Sequence, residues 1–128
     1  MQLDQHLPDG YLYFRRYGER DVTIVDRVVT RSFLLAPDRL IEDWPVSDVG
    51  ELDEAALDAI GALEPELVLL GTGARQVFPR AELRAHLLRR GIGVEIMDNA
   101  AACRTYNLLA DEGRRVVVAL MLPGDAAR

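Results

Sequence analysis

The residues best suited to chemistry lie at two joints in the second half of the chain. Gly71, Thr72 and Gly73 follow a short apolar run and precede a segment with helical spacing. A turn of this kind at the start of a helix presents backbone amides to an anion such as a phosphate or carboxylate. The alternatives are a nucleotide, another anion, or a structural turn that needs glycine for its backbone conformation.

Two observations weigh against the nucleotide. The dinucleotide-binding fingerprint requires a third glycine at position 76, where this chain has Gln76. The chain also contains no lysine, which rules out a phosphate-binding P-loop and a Schiff-base mechanism. The sequence therefore favours a structural turn, or an anion other than a nucleotide.

The second joint, at the start of the last predicted helix, is rich in polar side chains. Its members are Asp98, Asn99, Arg104, Thr105 and Asn107. Arg104 and Asn107 are three residues apart and share a helix face, and Arg75 and Arg80 approach from the first joint. The residues predicted to bind a carboxylate or phosphate are Gly71, Thr72, Gly73, Arg75, Arg80, Asp98, Arg104, Thr105 and Asn107.

The alternative for this second joint is that its side chains satisfy one another. In that interpretation Asp98 caps the helix, Thr105 bonds back to a carbonyl and Asn107 holds a loop. Arg104 then pairs with Glu95 or Asp98. Under this alternative the same residues form a scaffold and bind no ligand.

No complete catalytic or metal-binding set is present in the sequence. Cys103 lies in an apolar stretch early in a helix, where a buried small residue is expected, although a helix start also lowers the pKa of a thiol. The two histidines, His6 and His86, have no second His or Cys at metal-ligand spacing. We therefore predict no catalytic residue, no metal site and no cofactor, and the chain is more consistent with a non-enzyme than with an enzyme.

The two joints belong to a predicted β-α-β-α-β half. Apolar runs at residues 67–70, 92–97 and 116–122 read as strands covered on both faces. A helix is expected to start at Pro79, another to run from an Asp98 cap to about Glu112, and an earlier one spans residues 52–63. Parallel strands with right-handed crossovers bring both joints to one edge of the sheet, where ligands bind in open α/β folds.

The first half of the chain is rich in β-branched residues and turn signals. Residues 11–16, 21–25, 27–35 and 40–44 are predicted strands of one antiparallel meander. Residues 1–10 read as a loosely held lead-in, and residues 124–128 as a mobile tail. We expect one domain over residues 1–128, with an ordered core of about residues 11–123.

Composition limits the possible partners and compartments. The 128 residues carry a formal net charge of −6, which argues against nucleic-acid binding. No apolar run is long enough to span a membrane, and the N-terminus resembles neither a signal peptide nor a transit peptide. A single cysteine suits a reducing compartment. These features predict a cytoplasmic protein without stable membrane insertion, either a monomer or a homodimer.

An ordered series of short motifs carries a family resemblance over about residues 21–123. It consists of Ser32-Phe33-Leu34-Leu35-Ala36-Pro37, Trp44, Gly71-Thr72-Gly73, Arg90-Gly91-Ile92, Val94-Glu95, Asp98, Ala102, Thr105-Tyr106-Asn107, Glu112-Gly113-Arg114 and Ala119-Leu120. The series resembles the Mth-domain family of unknown function, which includes mitochondrial complex I assembly factor three and the adipogenesis-associated Mth-domain protein. Asn99 departs from the family, where Thr is common.

The resemblance implies a three-layer β/β/α domain, in which the N-terminal meander packs with the β-α-β-α-β half. It implies no established catalytic residue and no cofactor. The mitochondrial members help complex I assemble through protein partners, so the resemblance implies a bacterial protein-interaction module. The alternative is a binder of a small anion, or an enzyme, that uses the crevice between the two joints.

Overall fold

The computed structural model describes residues 10–124, which form two sheets and three helices. The strands are β1 (Phe14–Tyr17), β2 (Val22–Ile24), β3 (Arg27–Val29), β4 (Arg31–Ala36), β5 (Arg39–Ile41), β6 (Leu67–Gly71), β7 (Gly93–Met97) and β8 (Val116–Pro123). The helices are α1 (Glu54–Gly61), α2 (Ala81–Leu88) and α3 (Asn99–Asp111), with a short 3₁₀ helix at Val49–Glu51. Most of the predicted lead-in and tail lie outside the described residues.

The larger sheet has five strands in the order β5-β4-β8-β6-β7. β6 runs parallel to both β7 and β8, and β4 runs antiparallel to β8 and β5. The predicted β-α-β-α-β unit is therefore present. The last strand of the chain lies at the centre of the sheet.

The predicted meander is divided between the two sheets. β1, β2 and β3 form a separate antiparallel sheet, whereas β4 and β5 join the larger sheet along β8. The reason lies in the burial of β4, where every residue after Arg31 is buried. A strand that is apolar on both faces is stable only when both faces are covered, and an interior position in the large sheet covers both.

The large sheet is the middle of three layers, as the fold class predicts. α1 and α2 pack on one face, through residues such as Ile60 and Leu87. α3 and the three-stranded sheet share the other face, where Tyr106 and Phe14 are buried. Both faces of the central sheet are thus withdrawn from water, which is the main source of stabilisation for such a fold.

Local sequence signals set the helix boundaries. The carboxylates of Asp53 and Asp98 accept the amides of Ala56 and Ala101 at 2.8 Å and cap α1 and α3. α2 begins two residues later than Pro79 indicated, because Arg80 is the extended residue that precedes its first turn and makes no side-chain cap. The prediction that α2 starts at Pro79 is therefore wrong by two positions, because its first helical residue is Ala81.

Candidate functional site at the carboxyl edge of the sheet

The two strand-to-helix joints lie together, as the topology predicts. The amide of Thr72 donates to the carbonyl of Met97 at 3.0 Å, and the amide of Asn99 donates to the carbonyl of Gly73 at 2.8 Å. After β6 the chain passes to α2 on one face of the sheet, and after β7 it passes to α3 on the other. This divergence opens the type of crevice in which α/β folds bind ligands.

The backbone donors predicted to bind an anion already have partners within the protein. The Thr72 amide bonds to Met97, and the Gly73 amide donates to the side-chain oxygen of Asn99 at 2.9 Å. Gly73 has a φ of +103°, a backbone conformation that favours glycine. At Gly71 a Cβ atom would lie 2.6 Å from both Asn99 Oδ1 and Leu120 Cδ1, so this glycine is needed for close packing.

Asn99 occupies the centre of the crevice and is buried. Its Oδ1 accepts the Gly73 amide, and its Nδ2 donates to the carbonyl of Met121 at 2.8 Å. One side chain thereby joins the end of β6, the start of α3 and the last part of β8. Asn99 belongs to the predicted polar joint but is not among the nine residues predicted to bind an anion, and its position directly after a cap residue was the available signal for its role.

The loop between β6 and α2 is also closed by its own polar groups. The Thr72 hydroxyl lies 2.6 Å from the Arg75 carbonyl, and it accepts the Val77 amide at 3.0 Å. Gln76 Nε2 donates to the Ile96 carbonyl of β7 at 2.8 Å. Gln76, which breaks the dinucleotide fingerprint, therefore fastens the loop to the neighbouring strand.

Asn107 binds the first strand and Tyr106 the segment just before it, rather than the crevice. The Asn107 side chain accepts the Phe14 amide and donates to the Phe14 carbonyl, both at 2.9 Å. The Tyr106 hydroxyl donates to the carbonyl of Leu12 at 2.9 Å. We predicted either ligand binding or the holding of a loop for Asn107; the element it holds is β1.

The predicted arginines do not converge on the crevice. Arg75, Arg80 and Arg104 are exposed, and none of them forms an ion pair with any residue between 10 and 124. Arg104 therefore pairs with neither Glu95 nor Asp98. Thr105 is half-buried on α3.

A groove of about 320 Å³ opens beside the crevice, between the β1–β2 turn and the start of α3. The described residues that line it include Glu19 and Asp98, and none of the three arginines. An anion in this groove would face two carboxylates without a cationic partner. Anion binding by the nine residues stays a prediction, and the charges around the groove do not favour it.

The chemistry of Cys103 follows from its burial. The side chain is fully buried on α3 among apolar residues, and this burial raises the pKa of the thiol to about 12, although Arg104 acts in the opposite direction. The thiol is therefore protonated at physiological pH and is a poor nucleophile. Burial likewise raises the pKa of the Tyr106 hydroxyl.

Two features are absent from residues 10–124. No group of three or more His, Cys, Asp or Glu side chains in this part of the chain is arranged to hold a metal ion. None of the helices described here has the length and apolar character needed to cross a bilayer.

Comparison with known proteins identifies the family. Residues 14–121 match the model of the family described as "Protein of unknown function (DUF498/DUF598)". The chain belongs to this family. A solved Bordetella pertussis member, described as an Mth938-like domain, is 31% identical, and the match covers 98% of this chain and 94% of that one with a TM-score of 0.80. A Xanthomonas campestris protein solved by NMR is 47% identical, covers 98% and 95% of the two chains, and has a TM-score of 0.82.

The named relatives of the family include a protein named as a membrane protein and proteins named as assembly factors. A Francisella tularensis protein named "13 kDa major membrane protein" is 38% identical over 117 residues, which are 91% of this chain and 95% of the relative. The human NADH dehydrogenase 1 alpha subcomplex assembly factor 3 is 32% identical over 114 residues, or 88% of this chain. The match spans 61% of that assembly factor, so the chain corresponds to part of its length.

Proposed function

We propose that this chain is a non-enzymatic protein-interaction module that helps a larger complex assemble. The observation that carries the proposal is the match of 88% of the chain to proteins named as assembly factors of NADH dehydrogenase. The rest of those relatives has no counterpart in the match, so their partners are not transferred here. The partner is a protein, and the chain acts in the cytoplasm as a monomer or homodimer.

The geometry of the crevice supports a role at the surface. In an α/β enzyme the carboxyl edge of the sheet supplies free amides and polar side chains to a small molecule. Here Thr72, Gly73, Gln76 and Asn99 bond to one another or to neighbouring carbonyls. The polar groups at this edge stabilise the scaffold, which leaves the exterior for recognition.

Co-purification tests the proposal. The tagged chain is expressed at its native level in the organism of origin, and the recovered proteins are quantified against a tag-only strain. We expect at least one partner in reproducible, near-stoichiometric yield, and accumulation of an incomplete complex when the gene is deleted. Recovery of the chain alone, with every complex intact in the deletion strain, would contradict the proposal.

The second candidate function is binding of a small anion beside the start of α3, and the 320 Å³ groove is the observation in its favour. Thermal-shift measurements with phosphorylated and carboxylated metabolites test it. A ligand at about 100 times its Kd stabilises the folded state by about 2.7 kcal/mol. The candidate fails if no anion shifts the transition, or if Ala100→Trp, which places a large side chain in the groove, leaves the shift unchanged.

A further inference from the structure

One exposed surface combines arginines with large apolar side chains. It comprises Arg75, Val77, Phe78, Arg80, Arg84 and Leu88, which we call the arginine face. Phe78 is 59% exposed, Leu88 54% and Val77 45%. Isolated exposed apolar residues are ordinary, but three within twelve residues make this loop and helix unusually apolar for a segment at the surface.

The charge of this surface is opposite to that of the chain. Residues 75–90 contain five arginines and one glutamate, Glu82, whereas the whole chain has a net charge of −6. Arg90 pairs with Asp58 at 3.3 Å. The ion pairs found among residues 10–124 leave Arg75, Arg80 and Arg84 unused. These three guanidinium groups remain available to a partner.

The arginine face lies on a loop and a helix that are both fixed to the rest of the protein. Leu83 and Leu87, on the adjacent side of α2, are buried in the core between the helices and the sheet. The Thr72 hydroxyl and the Gln76 side chain fix the loop that precedes Phe78, as described above. A pre-formed surface loses little conformational entropy when it binds, which favours affinity.

Cationic and apolar side chains share this surface rather than occupying separate faces. Arg80, Arg84 and Leu88 recur every four residues and therefore lie along one side of α2. A helix that lies on a membrane separates its cationic face from its apolar face. Aromatic residues and arginine mixed in one patch are instead characteristic of protein interfaces.

We propose that the arginine face docks an acidic segment of a protein partner, with Phe78 inserted into an apolar pocket of that partner. This inference rests on the proposed function and adds the site and the chemistry of the partner. Arg75, Arg80 and Arg84 bind carboxylates, and bidentate pairing gives direction to the contact. The negative charge elsewhere on the chain repels the same partner and restricts docking to this face.

Site-specific photocrosslinking tests the location. A photoreactive amino acid replaces Phe78 in one variant, and Val28 or Leu108 in two matched controls, which are 59% and 60% exposed on other surfaces. In the native organism we expect one crosslinked protein from position 78 and at least tenfold less of it from positions 28 and 108. Mass spectrometry of the crosslinked peptide is expected to show a segment rich in Asp and Glu.

Binding of a synthetic peptide with that sequence tests the chemistry. The double variant Arg80→Ala/Arg84→Ala is expected to weaken binding at least about tenfold, and Phe78→Ala by a similar factor. The control Arg15→Ala/Arg39→Ala removes the same charge from exposed arginines elsewhere and should change the Kd less than about twofold. Binding by the arginine face should also weaken as salt concentration rises.

Several results would overturn the proposal. Stronger crosslinking from position 28 or 108 moves the interface elsewhere and leaves the proposed function intact. The absence of crosslinks at all three positions, together with the absence of any co-purified partner, contradicts both the docking site and the proposed interaction function. A crosslinked segment without acidic residues contradicts the charge argument. Binding to phosphatidylglycerol–phosphatidylcholine vesicles that is lost with Phe78→Ala would identify the occupant as a membrane instead of a protein.

Discussion

Asn99 carries a donor and an acceptor on one short side chain, and the carboxyl edge of the sheet uses both. Its partners, the Gly73 amide and the Met121 carbonyl, come from segments 26 and 22 residues away. A threonine would offer one hydroxyl oxygen in place of these two separate polar atoms. The residue is therefore a bridge between β6, α3 and β8.

Replacement of Asn99 tests this bridge. Asn99→Leu keeps the approximate size but leaves a buried amide and a buried carbonyl without that partner, so we expect a loss of about 2–4 kcal/mol in the free energy of unfolding. Urea denaturation followed by circular dichroism measures it. Asn99→Thr, which retains one hydroxyl, should lose less. Equal urea midpoints for Asn99→Leu and the native chain would contradict the bridging role.

Two glycines provide a matched pair for the packing argument. A Cβ at Gly71 would meet Asn99 Oδ1 and Leu120 Cδ1, which are buried and fixed, so Gly71→Ala should cost about 1–3 kcal/mol. A Cβ at Gly61 would first meet the guanidinium of Arg90, the far end of a long side chain that can shift, and the gain in helix propensity offsets the lost contact. Gly61→Ala should therefore change the free energy of unfolding by less than about 0.5 kcal/mol. Similar thermal unfolding of the two variants would refute the distinction.

Cys103 links stability to pH. Burial raises the pKa of the Cys103 thiol from 9.0 to about 12 on folding. The contribution of the protonated thiol to folding stability is therefore complete below pH 9.0. It is lost as the pH rises toward 12, because the unfolded chain releases the proton first. At pH 10 the native chain should lose about 1.4 kcal/mol more than Cys103→Ala does, relative to pH 8. Urea titrations at the two pH values measure the difference. Titration of Tyr106 affects the native chain and Cys103→Ala equally, so it cancels in the comparison. Equal losses of stability in the two proteins between pH 8 and pH 10 would show that Cys103 makes no contribution.

At the scale of elements, α3 holds the first strand through Asn107, whose side chain pairs with backbone groups of β1 as a neighbouring strand would. Asn107 supplies one donor and one acceptor to Phe14, in place of the backbone groups of another strand. Unpaired strand edges promote association between molecules. The amide of Asn107 thus both anchors β1 and protects this part of its edge.

Asn107→Ala should therefore destabilise the chain by about 1–3 kcal/mol and expose part of the β1 edge. We expect a lower thermal midpoint and concentration-dependent association in analytical ultracentrifugation. Leu108→Ala is the control, because its side chain is 60% exposed and its loss should have little effect. If both variants behave alike, the Asn107 bonds do not hold β1.

Local signals made the helices predictable, and distant contacts made other features unpredictable. Asp98 follows a strand and precedes an apolar stretch, which is enough to place the start of α3. The division of the meander depended on which sheet β4 joins, and its partner β8 lies more than eighty residues later. The role of Asn99 likewise depended on Gly73 and Met121, which the chain brings together only when folded.

At the scale of the whole molecule, the three layers place β8 in the best-protected position. It lies between β4 and β6, and all of its residues except Pro123 are buried. Hydrogen exchange measured by NMR should therefore be slowest for amides of β8 that bond to those neighbours and faster for the three-stranded sheet. If amides of β1–β3 outlast those of β8, the central strand is not the most stable part.

The position of β8 also sets the order of events during synthesis. Phe33 and Leu120 are partners across β4 and β8, yet the ribosome makes β4 long before β8. At roughly 5–20 residues per second, the apolar faces of β4 and β6 wait several seconds for the strand that separates them. Productive folding is therefore deferred until β8 emerges from the exit tunnel. Nascent chains from which β8 has not yet emerged should depend on chaperones that shield the exposed edges of β4 and β6.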